Sequence, residues 1–170
     1  MAKKSTVKTI KVAKVWDDKQ WTVRFGRLNA GRGGAGGGKR LFRVVGEKLP
    51  FEALNEVNRR LRSQAVRREG VYVAHDSMGY ARYIGRGRIF ARLRACRRRH
   101  RLEVHYFSFY VVEEKKHERE IETLLIHAAG PLLQFNTKKK RVTISAGAIR
   151  DYEAGTNFFE RRYKKGQKSF

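Results

Sequence analysis

The sequence predicts an α+β fold, because two short strands joined by a turn are followed by a helix, a third strand and a second helix. Residues 71–74 and 81–84 are apolar runs on either side of Asp76-Ser-Met-Gly79, a pattern typical of a β-hairpin. Residues 102–112 are rich in Val, Tyr and Phe on both faces, which indicates a buried strand. The spacing of apolar residues predicts helices over residues 87–100 and 113–129.

The first 69 residues predict a basic accessory region of a hairpin, a glycine-rich loop and a helix. Residues 6–25 contain two extended runs separated by Asp17-Asp-Lys19, which favours a half-exposed hairpin. Pro50 opens a helix that we expect to run to Arg68. We therefore divide the chain into the accessory region 1–69, a core at 70–136 and a basic C-terminal extension at 137–170.

The charge of the chain points to a polyanionic partner. Forty Lys and Arg against sixteen Asp and Glu give a formal net charge of +24. A compact domain this basic repels itself unless an anion is bound, so nucleic acid is the first partner to consider. A membrane is the competing partner, but no apolar run reaches spanning length. The N-terminus has no apolar signal region, so we expect a cytoplasmic protein associated with nucleic acid.

Cysteine and histidine usage narrows the possible chemistry. A single cysteine, Cys96, excludes an intramolecular disulfide, and the five histidines lack a spacing typical of metal ligands. The glycine-rich stretch ending in Gly38-Lys39 is not a phosphate loop, because Arg40 stands where a hydroxyl is required. Neither a zinc module nor a nucleotide site is expected.

Arginines and lysines concentrate in two segments. Eight arginines fall between Arg86 and Arg101, and a cationic run follows at residues 138–141. A solvated basic face and a surface against phosphates are both compatible with such density. The candidate nucleic-acid-binding residues are Arg86, Arg88, Arg94, Lys138, Lys139, Lys140 and Arg141.

Glu122 is the carboxylate whose position is unusual. On a helix it falls inside or at the edge of the apolar arc of Ile121, Leu125 and Ile126, whereas Glu120 lies nearly opposite. A carboxylate among apolar side chains needs a cation, a metal or hydrogen bonds. Glu122 is thus either a rim residue paired with an arginine or a metal ligand.

The order of these elements and motifs resembles the GIY-YIG nuclease superfamily. Gly70-Val-Tyr72 differs from the first motif only by Val71, and Tyr83-Ile-Gly85 matches the second. An arginine follows in the next helix, and Glu122, Pro131 and Asn136 come behind it. The resemblance covers about 67 residues, 70–136, and implies a small three-stranded antiparallel sheet flanked by helices.

The resemblance also implies roles for individual residues. Tyr72 and Tyr83 match the two motif tyrosines, and Arg92, followed by Leu93, matches the helix arginine, with Arg94 as the alternative. Glu122 matches the metal-binding glutamate and Asn136 the terminal asparagine. Arg86 stands where many members have a lysine, and His100 is the alternative to Cys96 for an auxiliary position in the helix.

These residue types suit phosphodiester hydrolysis with one Mg²⁺ or Mn²⁺ ion. A metal held by Glu122 would neutralise charge at phosphorus and on the leaving oxygen. Arg92 would grip the scissile phosphate with two hydrogen bonds. Tyr72 or Tyr83, and of these Tyr72 is preferred, would act as general base, with its pKa lowered from about 10 by nearby cations.

Two functions follow from the sequence. The first is a Mg²⁺-dependent endonuclease acting on DNA, with single-stranded DNA or RNA as further possible substrates. The second is a non-catalytic nucleic-acid-binding protein on the same fold, since charge with interleaved aromatics fits it equally well. Glu122, Arg92 and the tyrosines discriminate, because a pure binder does not need them together.

Overall fold

The computed structural model describes residues 12–28, 40–129, 133 and 155–164. Its elements are β1 (Val12–Asp17), β2 (Trp21–Arg27), β3 (Phe42–Pro50), α1 (Leu54–Ser63), β4 (Glu69–His75), β5 (Ala81–Arg88), α2 (Ile89–Arg99), β6 (Tyr106–Val112), α3 (Glu118–Ala129) and β7 (Asn157–Tyr163). The strands form one sheet in the order β1-β2-β7-β3-β6-β4-β5. The class is α+β.

The predicted three-stranded sheet is wrong, because the described strands form a mixed sheet of seven. The strands β4, β5 and β6 are neighbours, as expected, but β6 continues the sheet by pairing antiparallel with β3. The C-terminal strand β7 then lies parallel to β3 and antiparallel to β2. Strands from all three sequence regions thus share one sheet, and the division into domains stays a prediction.

The helices lie where the sequence predicts them but are shorter. A single turn of 3₁₀ helix at Phe51–Ala53 precedes α1, and Ala65, with φ of 51°, follows its end. The backbone of residues 87–88 belongs to β5, so α2 begins two residues later than expected. Residues 102–105 lie outside β6, and a 3₁₀ turn at Lys115–His117 precedes α3.

The two faces of the sheet carry different helices. On one face, Tyr72, Phe107 and Phe109 pack with Leu61 of α1 and Leu93 of α2. On the other, Val71, Val73 and Ile84 pack with Ile126 of α3. Because successive side chains of a strand point to opposite faces, the β4–β5 hairpin is covered on both sides. Strand β5 forms one edge of the sheet, and α2 and α3 flank that edge from opposite faces.

Candidate active site at the edge of the sheet

The hairpin that carries both tyrosine motifs is present, and its two motif glycines fill positions that a larger residue would not fit. A Cβ at Gly70 would lie 2.1 Å from the carbonyl oxygen of Tyr110 on β6. A Cβ at Gly85 would lie 2.5 Å from the hydroxyl of Tyr72, its partner across β4 and β5. One glycine therefore permits close strand pairing, and the other makes room for the phenol.

Tyr72 and Tyr83 form a contacting pair on the α2 face. Their ring centroids are 6.0 Å apart, and Tyr72 is only 1% exposed whereas Tyr83 is half-buried. Burial raises the pKa of Tyr72 well above its ordinary value near 10, and the charge of Tyr83 and a hydrogen bond with it act in the same direction. The positive charge of Arg92 opposes this rise in pKa only in part. Tyr72 is held neutral, which is opposite to what a general base requires.

An open cleft of about 810 Å³ lies where β5 passes into α2, and we call it the edge cleft. It is lined by the cations Arg86, Arg88, Arg92 and Lys115, by the carboxylates Glu69, Glu118 and Glu122, and by Gly87 and Ala91. Gly87 has φ of +112°, and no atom lies within 4 Å of where its Cβ would be. The backbone of the edge strand is thus accessible from the cleft.

Each carboxylate of the edge cleft has a cation beside it. Oε2 of Glu122 lies 3.2 Å from Nε of Arg86, and the Glu122 side chain is 16% exposed. Glu69 pairs with Lys115 at 3.6 Å. Arg88 and Arg92, by contrast, have no carboxylate partner among the described residues. The uncompensated positive charge of the cleft therefore lies on these two arginines.

The most deeply buried carboxylate is Glu118, which sequence reasoning missed. Its side chain is 2% exposed and lies 3.0 Å from the guanidinium of Arg67, which also donates a hydrogen bond to the carbonyl of Val112 at 2.7 Å. Glu118 is one helical turn before Glu122 and shares its face of α3. The ion pair fastens α3 to the segment that precedes β4.

The structure brings some predicted site residues together and separates others. Glu122 and Arg86 lie on the α3 face of the sheet, and Tyr72 and Tyr83 lie on the opposite face. Arg92 joins the two groups, since it lines the edge cleft and lies close enough to Tyr72 to act on its pKa. The ring of Tyr83 lies over Gly85, with its Cε1 3.1 Å from the position that a Cβ of residue 85 would take.

The remaining predicted residues lie elsewhere. Arg94 is outside the edge cleft, and its guanidinium lies 3.3 Å from Oδ1 of Asn55. Asn136, Lys138, Lys139, Lys140 and Arg141 fall outside the described residues.

Comparison with protein-family models, with curated proteins and with solved structures finds no match to this chain. Within the described part of the chain, no helix is long and apolar enough to cross a membrane. The same residues contain no group of three or more His, Cys, Asp or Glu side chains placed to hold a metal ion.

Proposed function

We propose that this protein is a Mg²⁺-dependent endonuclease that hydrolyses phosphodiester bonds in DNA at the edge cleft. The observation that carries the proposal is the position of Arg92, which lines the cleft with Glu122 and lies beside the Tyr72–Tyr83 pair. An arginine in this position is near a carboxylate and a phenol and has donors for a phosphate, and these are the groups that this hydrolysis needs.

Glu122 is the residue that would hold one Mg²⁺ ion. Its carboxylate opens into the cleft, and its partner Arg86 is 46% exposed, so this arginine is free to swing to solvent when a metal displaces it. Mg²⁺ keeps several waters and takes one or two carboxylates, so it does not need a cluster of protein ligands. When bound, the ion supplies charge neutralisation at phosphorus and at the leaving oxygen.

The two tyrosines, Tyr72 and Tyr83, have different roles in this scheme. Tyr83, which is half-buried and lies over Gly85, accepts as its phenolate a proton from the water whose oxygen bonds to phosphorus. Tyr72, kept neutral by burial, donates its hydrogen bond to the oxygen of Tyr83 and stabilises negative charge there. This reverses the preference for Tyr72 as base. Arg92 grips the scissile phosphate as the bond from phosphorus to the leaving oxygen breaks and that oxygen takes a proton from solvent.

A non-catalytic nucleic-acid-binding protein is the second candidate. The salt bridge between Arg86 and Glu122 favours it, since a carboxylate already paired with an arginine is satisfied without a metal. The raised pKa of Tyr72 fits a structural phenol equally well. The two candidates differ in whether Mg²⁺ produces cutting.

The test incubates the purified protein with plasmid DNA, single-stranded DNA and RNA, each with Mg²⁺ and with EDTA. We expect the wild type to cut DNA in the samples with Mg²⁺ and not in those with EDTA. The Glu122→Ala variant should lose this cutting but still bind nucleic acid. Glu120→Ala is the matched control, because Glu120 is on the same helix but 76% exposed and outside the cleft. Full cutting by Glu122→Ala would refute the site, and no cutting of any substrate by the wild type would favour the binder.

A further inference from the structure

A second basic depression adjoins the edge cleft. It is an open groove of about 880 Å³ between the end of α1, the start of α2 and the segment before β4, and we call it the arginine groove. Its arginines are Arg43, Arg62, Arg67, Arg68, Arg88 and Arg94. Glu69, Arg88 and Ala91 line both depressions, so the groove leads directly into the edge cleft.

Most of the positive charge in this groove is uncompensated. Arg67 pairs with Glu118, and Glu69, the groove's one carboxylate among the described residues, lies beside Lys115. Arg68 and Arg94 contact only the neutral side chains of Asn58 and Asn55, at 3.4 and 3.3 Å. For Arg43, Arg62 and Arg88, no carboxylate of the described chain forms an ion pair. Five exposed guanidinium groups therefore repel one another unless an anion is present.

Acidic residues on the same helices are directed elsewhere. Glu56 of α1 pairs with Arg59 at 2.7 Å, and Glu52, just before α1, pairs with Arg97 of α2 at 3.2 Å. None of these four residues lines the arginine groove. Arg59 and Arg97, which lie outside the groove, are thus neutralised within the chain, whereas five of the groove's six arginines have no carboxylate partner among the described residues.

The lining also indicates which polyanion fits. Proteins that hold single strands present aromatic side chains on which bases stack. In the described lining of the arginine groove, the aromatic residue is Phe90, which is 3% exposed and packed into the core. The accessible donors are guanidinium groups, which bind phosphate oxygens with paired hydrogen bonds whatever the base sequence. Such a lining suits the continuous backbone of a duplex, whose bases stay paired.

We propose that the arginine groove binds the sugar-phosphate backbone of double-stranded DNA without sequence preference and leads one strand into the edge cleft. The second half of this proposal rests on the proposed nuclease function, and the first half does not. The groove then provides the affinity, and Arg92 and Glu122 act on the phosphate that reaches the cleft.

The test measures binding in EDTA, where no cutting occurs, by fluorescence anisotropy of a labelled 20-bp duplex and of its single strand. The variant is Arg43→Gln/Arg62→Gln, both exposed and outside the edge cleft. The control is Arg101→Gln/Arg119→Gln, which removes the same charge from exposed positions outside the groove. Losing two phosphate contacts should weaken duplex binding roughly 50-fold at 0.1 M salt and lower the salt slope by about 2.

The expected result is this loss in the groove variant, less than about threefold loss in the control, and weaker binding of the single strand than of the duplex. Equal losses in the two variants, or tighter binding of the single strand, would overturn the proposal. Cleavage with Mg²⁺ is read separately. If the wild type binds duplex through the groove but does not cut it, the nuclease function is refuted and groove binding stands. If the groove variant binds duplex as tightly as the wild type and still cuts it, only the groove proposal is refuted.

Discussion

The buried histidine of the hairpin should make the protein lose stability in mild acid. His75 ends β4 and is 7% exposed. Its Nδ1 donates to the carbonyl of Gly79 at the hairpin turn, 3.2 Å away, and its Nε2 accepts from the Ser108 hydroxyl at 2.8 Å. The Ser108 oxygen accepts in turn from the backbone N–H of Lys48 at 2.9 Å. The neutral ring thus links the turn to β6 and β3.

Burial lowers the pKa of His75 from 6.5 to about 4, and the positive charge of Lys48 acts in the same direction. Because the folded pKa lies below the unfolded one, the stability that this residue contributes is complete above pH 6.5. It is lost as the pH falls from 6.5 toward 4, while the unfolded chain binds the proton first. Between pH 7.5 and 4.5 these two pKa values correspond to a loss of about 2.5 kcal/mol.

The assay is urea unfolding of the wild type and of His75→Gln across this pH range. Glutamine can donate to Gly79 and accept from Ser108 but does not titrate, so the variant should lose about 2.5 kcal/mol less than the wild type on acidification. His127→Gln, which changes an exposed histidine, should follow the wild type. Parallel pH profiles for the wild type and His75→Gln would refute the reasoning.

Two further predictions concern the site. Gly85→Ala places a Cβ 2.5 Å from the Tyr72 hydroxyl and should destabilise the fold by about 1–3 kcal/mol in urea unfolding. Adding Tyr72→Phe, which removes that hydroxyl, should restore part of this loss, and strictly additive effects would contradict the contact. Glu118→Ala leaves the partly buried Arg67 unpaired and should cost about 3 kcal/mol. Glu56→Ala, which breaks an exposed pair, should cost no more than about 0.5 kcal/mol, and equal costs would contradict the account.

The hairpin was predictable because its determinants are local. Asp76 fixes the turn by accepting hydrogen bonds from the backbone N–H groups of Met78 and Tyr80, both at 2.9 Å, and from Arg82 at 2.7 Å. These three donors lie within six residues of the aspartate. Apolar runs on either side of such a turn pair with each other, so the sequence indicates both strands and their contact.

The extent of the sheet was not predictable by the same reasoning. Strand β7 pairs in parallel with β3 through Val44 and Asn157, which are more than a hundred positions apart in the chain. Phe158 and Phe159 fall in the segment that the sequence predicts to be a basic C-terminal extension, yet both are buried in the sheet. Pairing between distant segments depends on which edges meet in space, and the pattern within one strand does not encode it.

The position of Glu122 on its helix was predictable, whereas the arrangement of the candidate site residues around the sheet was not. The helical spacing that placed Glu122 at the rim of the apolar arc agrees with its low exposure of 16%. Helical spacing does not say on which side of the sheet α3 lies, so the separation of Glu122 from the tyrosines required the structure. The sequence does indicate that Glu118 shares a helix face with Glu122, because it is one turn earlier. Its buried ion pair with Arg67, however, depends on a segment about fifty residues earlier in the chain.

The most direct test of the central claim is single-turnover cleavage of duplex DNA by Arg92→Gln at saturating protein. Arg92 joins the edge cleft to the tyrosine pair, so its loss should slow cutting by about 100-fold or more, while duplex binding weakens by no more than about tenfold, the loss expected for one phosphate contact. Arg98→Gln, an exposed arginine of the same helix outside the cleft, should cut at the wild-type rate. Wild-type cutting by Arg92→Gln, or a loss of rate that saturating protein restores, would contradict the account.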